Sequence, residues 1–160
     1  MLSQLESHGI SIEDLRRALP GVRFLVIYRR NVAAQVVSHR RARLTRQWAS
    51  QDPLTVEQVR VRLGRQETLD EYEQLRGLYA RLLSQPGLTQ DALLVSYEEL
   101  VADPQRVFDR GICPHFGWPI ARVHTRLVKL GPESLEDAVA NYAEIADVLG
   151  GESACQRLSL

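Results

Sequence analysis

Lysine is almost missing from this chain: 19 of its 20 basic residues are arginine, and Lys129 is the only lysine. Acids are missing from one long window, since none stands between Asp14 and Asp52, where nine arginines fall. Cysteine is scarce. Cys113 and Cys155 lie 42 residues apart with neither a CxxC pair nor a Cys/His ligand spacing. That pattern indicates no disulfide scaffold and no zinc or other metal site, so reduced thiols are expected. No run approaches the ~18–20 apolar residues of a membrane span. The opening MLSQLESHG does not read as a signal peptide. The expected location is therefore cytoplasmic, with no membrane partner. Net charge is also absent, because 20 bases balance 20 acids, which argues against a protein built mainly to neutralise a polyanion. The 160 residues, 44% hydrophobic and 25% charged, suit one domain spanning 1–160.

What is present is unevenly placed. Arg29, Arg30, Arg40, Arg41, Arg43 and Arg46 flank one expected strand-to-helix junction. Compositional bias alone would spread arginines along the chain. Clustering marks either an anion site or a solvated basic face.

Periodicity supplies the elements. Ile12 to Leu19 reads as a short helix with Ser11 as cap and Pro20-Gly21 as stop. Phe24 to Tyr28, five consecutive apolar residues, suit a strand buried on both faces in a parallel sheet. From Asn31 to about Trp48, Val32, Val36, Val37, Leu44 and Trp48 give a helical pattern. Asp52-Pro53 opens a second helical region through Val56, Val59, Leu63, Leu69, Tyr72, Leu75, Tyr79 and Leu82, with Gly64 as a break and Pro86-Gly87 as its end. Ala92 to Tyr97 reads as a second strand, Glu98 to Ala102 as a short helix, and Asp103-Pro104 as the start of another that stops at Gly117-Trp118-Pro119. Glu133 to Leu149 reads as a closing helix. Two strands amid this much helix make a layered α/β architecture, yet an open parallel sheet normally has about four to six strands, so part of a larger doubly wound domain is expected.

In open α/β sheets ligands sit beyond the carboxyl ends of the strands, and the first strand ends in Tyr28-Arg29-Arg30-Asn31. A guanidinium there offers a planar fork that suits phosphate oxygens. Ser38 stands eight residues after Arg30, about two turns into the helix and roughly 10 Å along its axis. An arginine folded back along the helix largely closes that gap, so a phosphate can be held between guanidinium and hydroxyl. The alternative is that Arg30 is a surface arginine and Ser38 a small contact residue.

The blocks RFLVIYRRNVAAQVVSHRRA, ALLVSYEELVADPQRVFDR and HFGWP, in that order, resemble the PAPS-dependent sulfotransferases, especially the bacterial carbohydrate and nodulation-factor branch. NYAEIADVL is similar to the last helix of that family. The resemblance implies a P-loop-NTPase-like α/β fold with a parallel sheet, helix-rich here. It implies transfer of a sulfuryl group from PAPS, the co-substrate, to a hydroxyl or amine of a small-molecule or carbohydrate acceptor. Arg30 and Ser38 then match the residues that grip the 3′-phosphate, Tyr97 a tyrosine near the adenine, and Lys129 a basic residue against the same phosphate, although LVKLGPES lacks the Arg-Lys-Gly motif. His8 stands where some members carry a histidine base, without their Lys-Thr-His context.

The chain departs from the family in one respect. None of its ten glycines stands in an Arg-Ser-Gly-Thr type of loop, which in the family binds the 5′-phosphosulfate. The expectation is an N-terminally truncated sulfotransferase domain that keeps the 3′-phosphate side of the site and is inactive alone. A different class of reading is a non-catalytic basic module whose Arg40, Arg41, Arg43, Arg46 face binds nucleic acid or an acidic partner; neutral charge and the lack of interleaved aromatics speak against nucleic acid. A homodimer is compatible with either.

Overall fold

The computed structural model describes residues 8–52, 59–85, 88–126 and 134–150. The chain forms two compact units, one from Met1–Tyr28 and Gly77–Val123, the other from Arg29–Arg76 and His124–Leu160.

The first unit begins with α1 (Ile12–Ala18), held by a reciprocal cap. The Asp14 N–H donates to the Ser11 hydroxyl at 3.0 Å, and the Ser11 N–H donates to the Asp14 carboxylate at 3.0 Å. Gly21, at φ 82°, makes the left-handed turn expected after Pro20. β1 (Leu25–Tyr28) then pairs in parallel with β2 (Leu93–Ser96), placing Val26 opposite Leu94 and Tyr28 opposite Ser96. Its side chains alternate: Val26 enters a core with Ile12, Leu82 and Leu88, while Ile27 is 50% exposed. β1 is therefore covered on one face only, not on both, because successive side chains of a strand point to opposite sides. Leu88–Asp91 forms a short helix, α4, that the sequence pattern did not announce.

β2 stops one residue before the expected Tyr97 because Ser96 turns the chain into α5 (Tyr97–Ala102). The Ser96 hydroxyl accepts from the Glu99 N–H at 3.2 Å, and the Glu99 carboxylate accepts the Ser96 N–H at 3.2 Å, giving Glu99 the capping role. Asp103 caps α6 (Pro104–Val107) by accepting the Arg106 N–H at 3.0 Å, a π-helical segment follows at Phe108–Ile112, and α7 (Cys113–Phe116) ends at the left-handed Gly117.

In the second unit Asn31 caps α2 (Val32–Thr45), its side-chain oxygen accepting the Ala34 N–H at 2.8 Å. α2 ends three residues earlier than its pattern suggests. Arg46 adopts φ 57°, and the Thr45 hydroxyl donates to the Arg41 carbonyl and accepts from the Gln47 N–H. Leu44 and Trp48, expected on the buried face, are exposed, whereas Val32, Ala33, Val36, Val37 and Arg41 are buried.

α3 (Arg65–Leu83) starts just after Gly64, the expected break. Residues 53–58, including Val56, lie outside the described residues. Val59 to Leu63 are not helical: Val61 and Leu63 are buried and Arg60 and Arg62 exposed, a period of two. The Val61 N–H donates to the Ala138 carbonyl at 2.9 Å, and the Ala140 N–H donates to the Val61 carbonyl at 2.8 Å. This parallel bridge divides the expected closing helix into α8 (Leu135–Ala138) and α9 (Tyr142–Gly150). Val61, Leu63, Ala138, Val139, Ile145 and Leu149 pack there with Ala33 and Val37 of α2.

Candidate functional site

Within the second unit a recess of about 280 Å³ opens beside the middle of α2. Ser38, Arg41 and His39 of the helix line it, with Arg29 from the corner, Gln47 and Trp48 from the segment after the helix, and Leu75 from α3. Among the described residues its wall carries two guanidinium groups, an imidazole, a hydroxyl and the amides of Gln35 and Gln47, and no carboxylate. Such a donor set fits an oxyanion.

Arg41 stands out among these side chains, being only 6% exposed. Burial draws its pKa below the ordinary arginine value. His39 is fixed differently: its Nδ1 lies 2.6 Å from one oxygen of Glu71, and its ring is tilted against Trp48 at 5.6 Å between centroids. An ionised carboxylate only accepts, so the proton of that bond is on His39 Nδ1. Arg40 donates its Nε–H to the other Glu71 oxygen at 2.7 Å. Burial pushes Glu71 up, but the bond from His39 and the adjacent charge and bond of Arg40 outweigh it and leave its pKa below the ordinary carboxylate value. His39 is thus held by an acid of α3.

The other expected site residues are placed as follows. Ser38 is on the recess wall and half-buried; Arg30 is exposed at the corner, where Arg29 rather than Arg30 lines the recess. Tyr97 is the first residue of α5, half-buried, in the first unit. His8 stands exposed in a turn with Gly9 of the same unit. Lys129 and Cys155 lie outside the described residues, and Cys113 is a buried free thiol. Reading the sequence missed Arg41 as a pocket residue, because an arginine inside a run of arginines signals a solvated face. The only available clue was its three-residue spacing from Ser38, which puts both on one side of a helix.

A sulfotransferase-family model matches residues 3–122. The chain belongs to the sulfotransferase family. The match covers three-quarters of the 160 residues and takes in the α2 segment with Ser38 and Arg41. It extends ahead of Arg23, where the recognisable blocks begin, and ends before α8 and α9. No curated protein and no solved structure matches the chain. Among the described residues of this family member, no group of three or more His, Cys, Asp and Glu could hold a metal ion, and no helix is long and apolar enough to cross a membrane.

Proposed function

We propose that the chain is a PAPS-dependent sulfotransferase domain of the bacterial carbohydrate type, carrying the 3′-phosphate side of the co-substrate site. The observation that carries this reading is Ser38, eight residues after Arg30, on the wall of an arginine-lined recess inside the matched family region. Arg30 and Ser38 are assigned to the 3′-phosphate, Tyr97 to the neighbourhood of the adenine and Lys129 to the same phosphate, all by resemblance. The bound donor supplies the sulfuryl group for in-line transfer to a hydroxyl or amine, and a base must take the acceptor's proton. His8 is the candidate for that base. Because no glycine of the chain stands in a phosphosulfate loop, the 160 residues by themselves are expected to bind the product nucleotide PAP without transferring sulfate.

Calorimetry with PAP tests this. Wild type should bind, Arg30→Ala should abolish the heat, and Ser38→Ala should weaken binding by about 1.5–3 kcal/mol, as for one hydrogen bond to a charged group. Equal affinities for wild type and Arg30→Ala would remove Arg30 from the site.

The basic-module reading is less well supported. Of the four arginines assigned to that face, Arg41 is buried and Arg40 is paired with Glu71 and Glu67, while Arg43 and Arg46 are exposed.

A further inference from the structure

Where α2 ends, Arg43, Leu44, Arg46, Trp48 and Ala49 are all exposed, and only Thr45 and Gln47 between them are partly covered. Two large apolar side chains four residues apart stand in water there, Leu44 at 65% exposure and Trp48 at 64%. Among the described residues, neither Arg43 nor Arg46 has an ion pair or a hydrogen bond from its guanidinium. The acids that approach α2, Glu67 and Glu71, are taken one turn earlier by His39 and Arg40. No acid follows in the chain before Asp52. Arg46 is also held at φ 57°, the one non-glycine at positive φ among the described residues. Glycine or asparagine suits that left-handed cap better. An arginine there gives up backbone ease and sets a cation between Leu44 and Trp48 in the chain.

We propose that the end of α2 is a peripheral contact site for an anionic lipid bilayer, with Arg43 and Arg46 at the lipid phosphates and Leu44 and Trp48 entering beneath them. A negatively charged leaflet attracts unpaired arginines close to its surface, and a guanidinium fork fits phosphate oxygens. An indole settles at the headgroup level, and a leucine gains where it leaves water for acyl chains. Charge complementarity alone would also admit a nucleic acid or an acidic glycan, but neither gives Leu44 an apolar environment. A stable protein interface takes about 20–30 residues a side, far more than the seven from Arg43 to Ala49. A fluid bilayer closes around a small group of inserted side chains and needs no such area. A peripheral contact needs no spanning helix either, so the lack of a long apolar run does not oppose it. The contact is independent of the nucleotide and of the sulfotransferase reading.

Cosedimentation of the full 160-residue chain with vesicles tests this, using phosphatidylcholine alone and an equimolar mixture with phosphatidylglycerol. The chain should sediment with the anionic vesicles, come off them with added salt, and stay in solution with the neutral ones. Binding to neither kind, or equally to both, overturns the proposal. Arg43→Gln and Arg46→Gly should each lower partitioning about fivefold, the loss expected of one arginine near an anionic surface. Arg46→Gly decides, because glycine suits the left-handed cap and the variant keeps its fold. Unchanged partitioning of Arg46→Gly refutes the site. Leu44→Ser should also weaken binding. If it binds like wild type, nothing apolar enters the bilayer, the surface is a polyanion site that dextran sulfate would occupy as well as lipid, and the proposal falls. In the Trp118→Phe protein, whose only tryptophan is Trp48, emission should shift to the blue on anionic vesicles. A shift seen only in Trp48→Phe puts the contact in the first unit and overturns the assignment.

Discussion

Arg40 and Arg41 are neighbours in the chain that the helix sends to opposite surroundings. Arg40 leans on Glu71 across to α3, while Arg41 goes into the recess. Glu71 is the residue that makes this division, since its two oxygens take one donor each from His39 and Arg40. Replacing it by Gln removes the charge from both bonds and should cost about 1.5–3 kcal/mol at neutral pH, the range for hydrogen bonds between charged groups. The pH dependence has a definite sign. A carboxyl whose folded pKa lies below its unfolded value stabilises the protein fully above the unfolded value, about 4.3 for Glu, and loses that contribution as pH falls through the folded value. The stability gap between wild type and Glu71→Gln, followed by thermal melting, should therefore be full at neutral pH and close under acid. A gap that widened on acidification would contradict the assignment. Little of this was legible beforehand. Nothing near His39 in sequence named Glu71, 32 residues away.

Helix caps were the most legible elements, because a cap is a contact over three residues and is written in consecutive letters. Ser11 with Asp14, Asn31, and Asp103 before Pro104 all act as their spacing indicates. Ser96→Ala tests the best buried of the caps: the hydroxyl is lost at the point where β2 becomes α5, and about 1–2 kcal/mol of stability should go with it in chemical denaturation. The Val59 to Leu63 segment was illegible for the opposite reason. Its partner is Val139, 78 residues later than Val61, and five residues with apolar positions three or four apart satisfy a helical pattern as well as an extended one. Asn141 completes that junction from the other side. Its amide oxygen accepts the Leu63 N–H at 3.0 Å and its NH₂ donates to the Leu63 carbonyl at 2.9 Å, in place of a strand. Asn141→Leu is expected to leave both buried backbone groups without partners and to cost about 2–4 kcal/mol. A loss below that of Ser96→Ala would mean that the junction is not held by these bonds.

At the scale of the whole molecule, net neutrality and arginine clustering come from different parts of the chain. The acid-free window holds β1 and α2, and the acids that meet Arg40, Arg62 and Arg65 belong to α3 and α9. The units also differ in what they can report. Trp118 lies in the first unit and Trp48 in the second, and these are the two tryptophans of the chain. Arg30, Ser38 and Arg41 all belong to the second unit, so a ligand held by them stabilises that unit directly. At a hundred times its dissociation constant a ligand adds about 2.7 kcal/mol, and for a chain of this length each kcal/mol moves the melting midpoint by about 2–4 °C. In a Trp118→Phe protein, whose fluorescence comes from Trp48, saturating PAP should raise the midpoint by about 5–10 °C on those two relations. The Trp48→Phe protein, reporting from Trp118, should show the same or a smaller rise, according to whether the units melt together or in turn. Adding Arg30→Ala to the Trp118→Phe background should remove the rise. If the Trp118 signal moves and the Trp48 signal does not, the nucleotide is held by the first unit and the recess beside Ser38 is not where it binds.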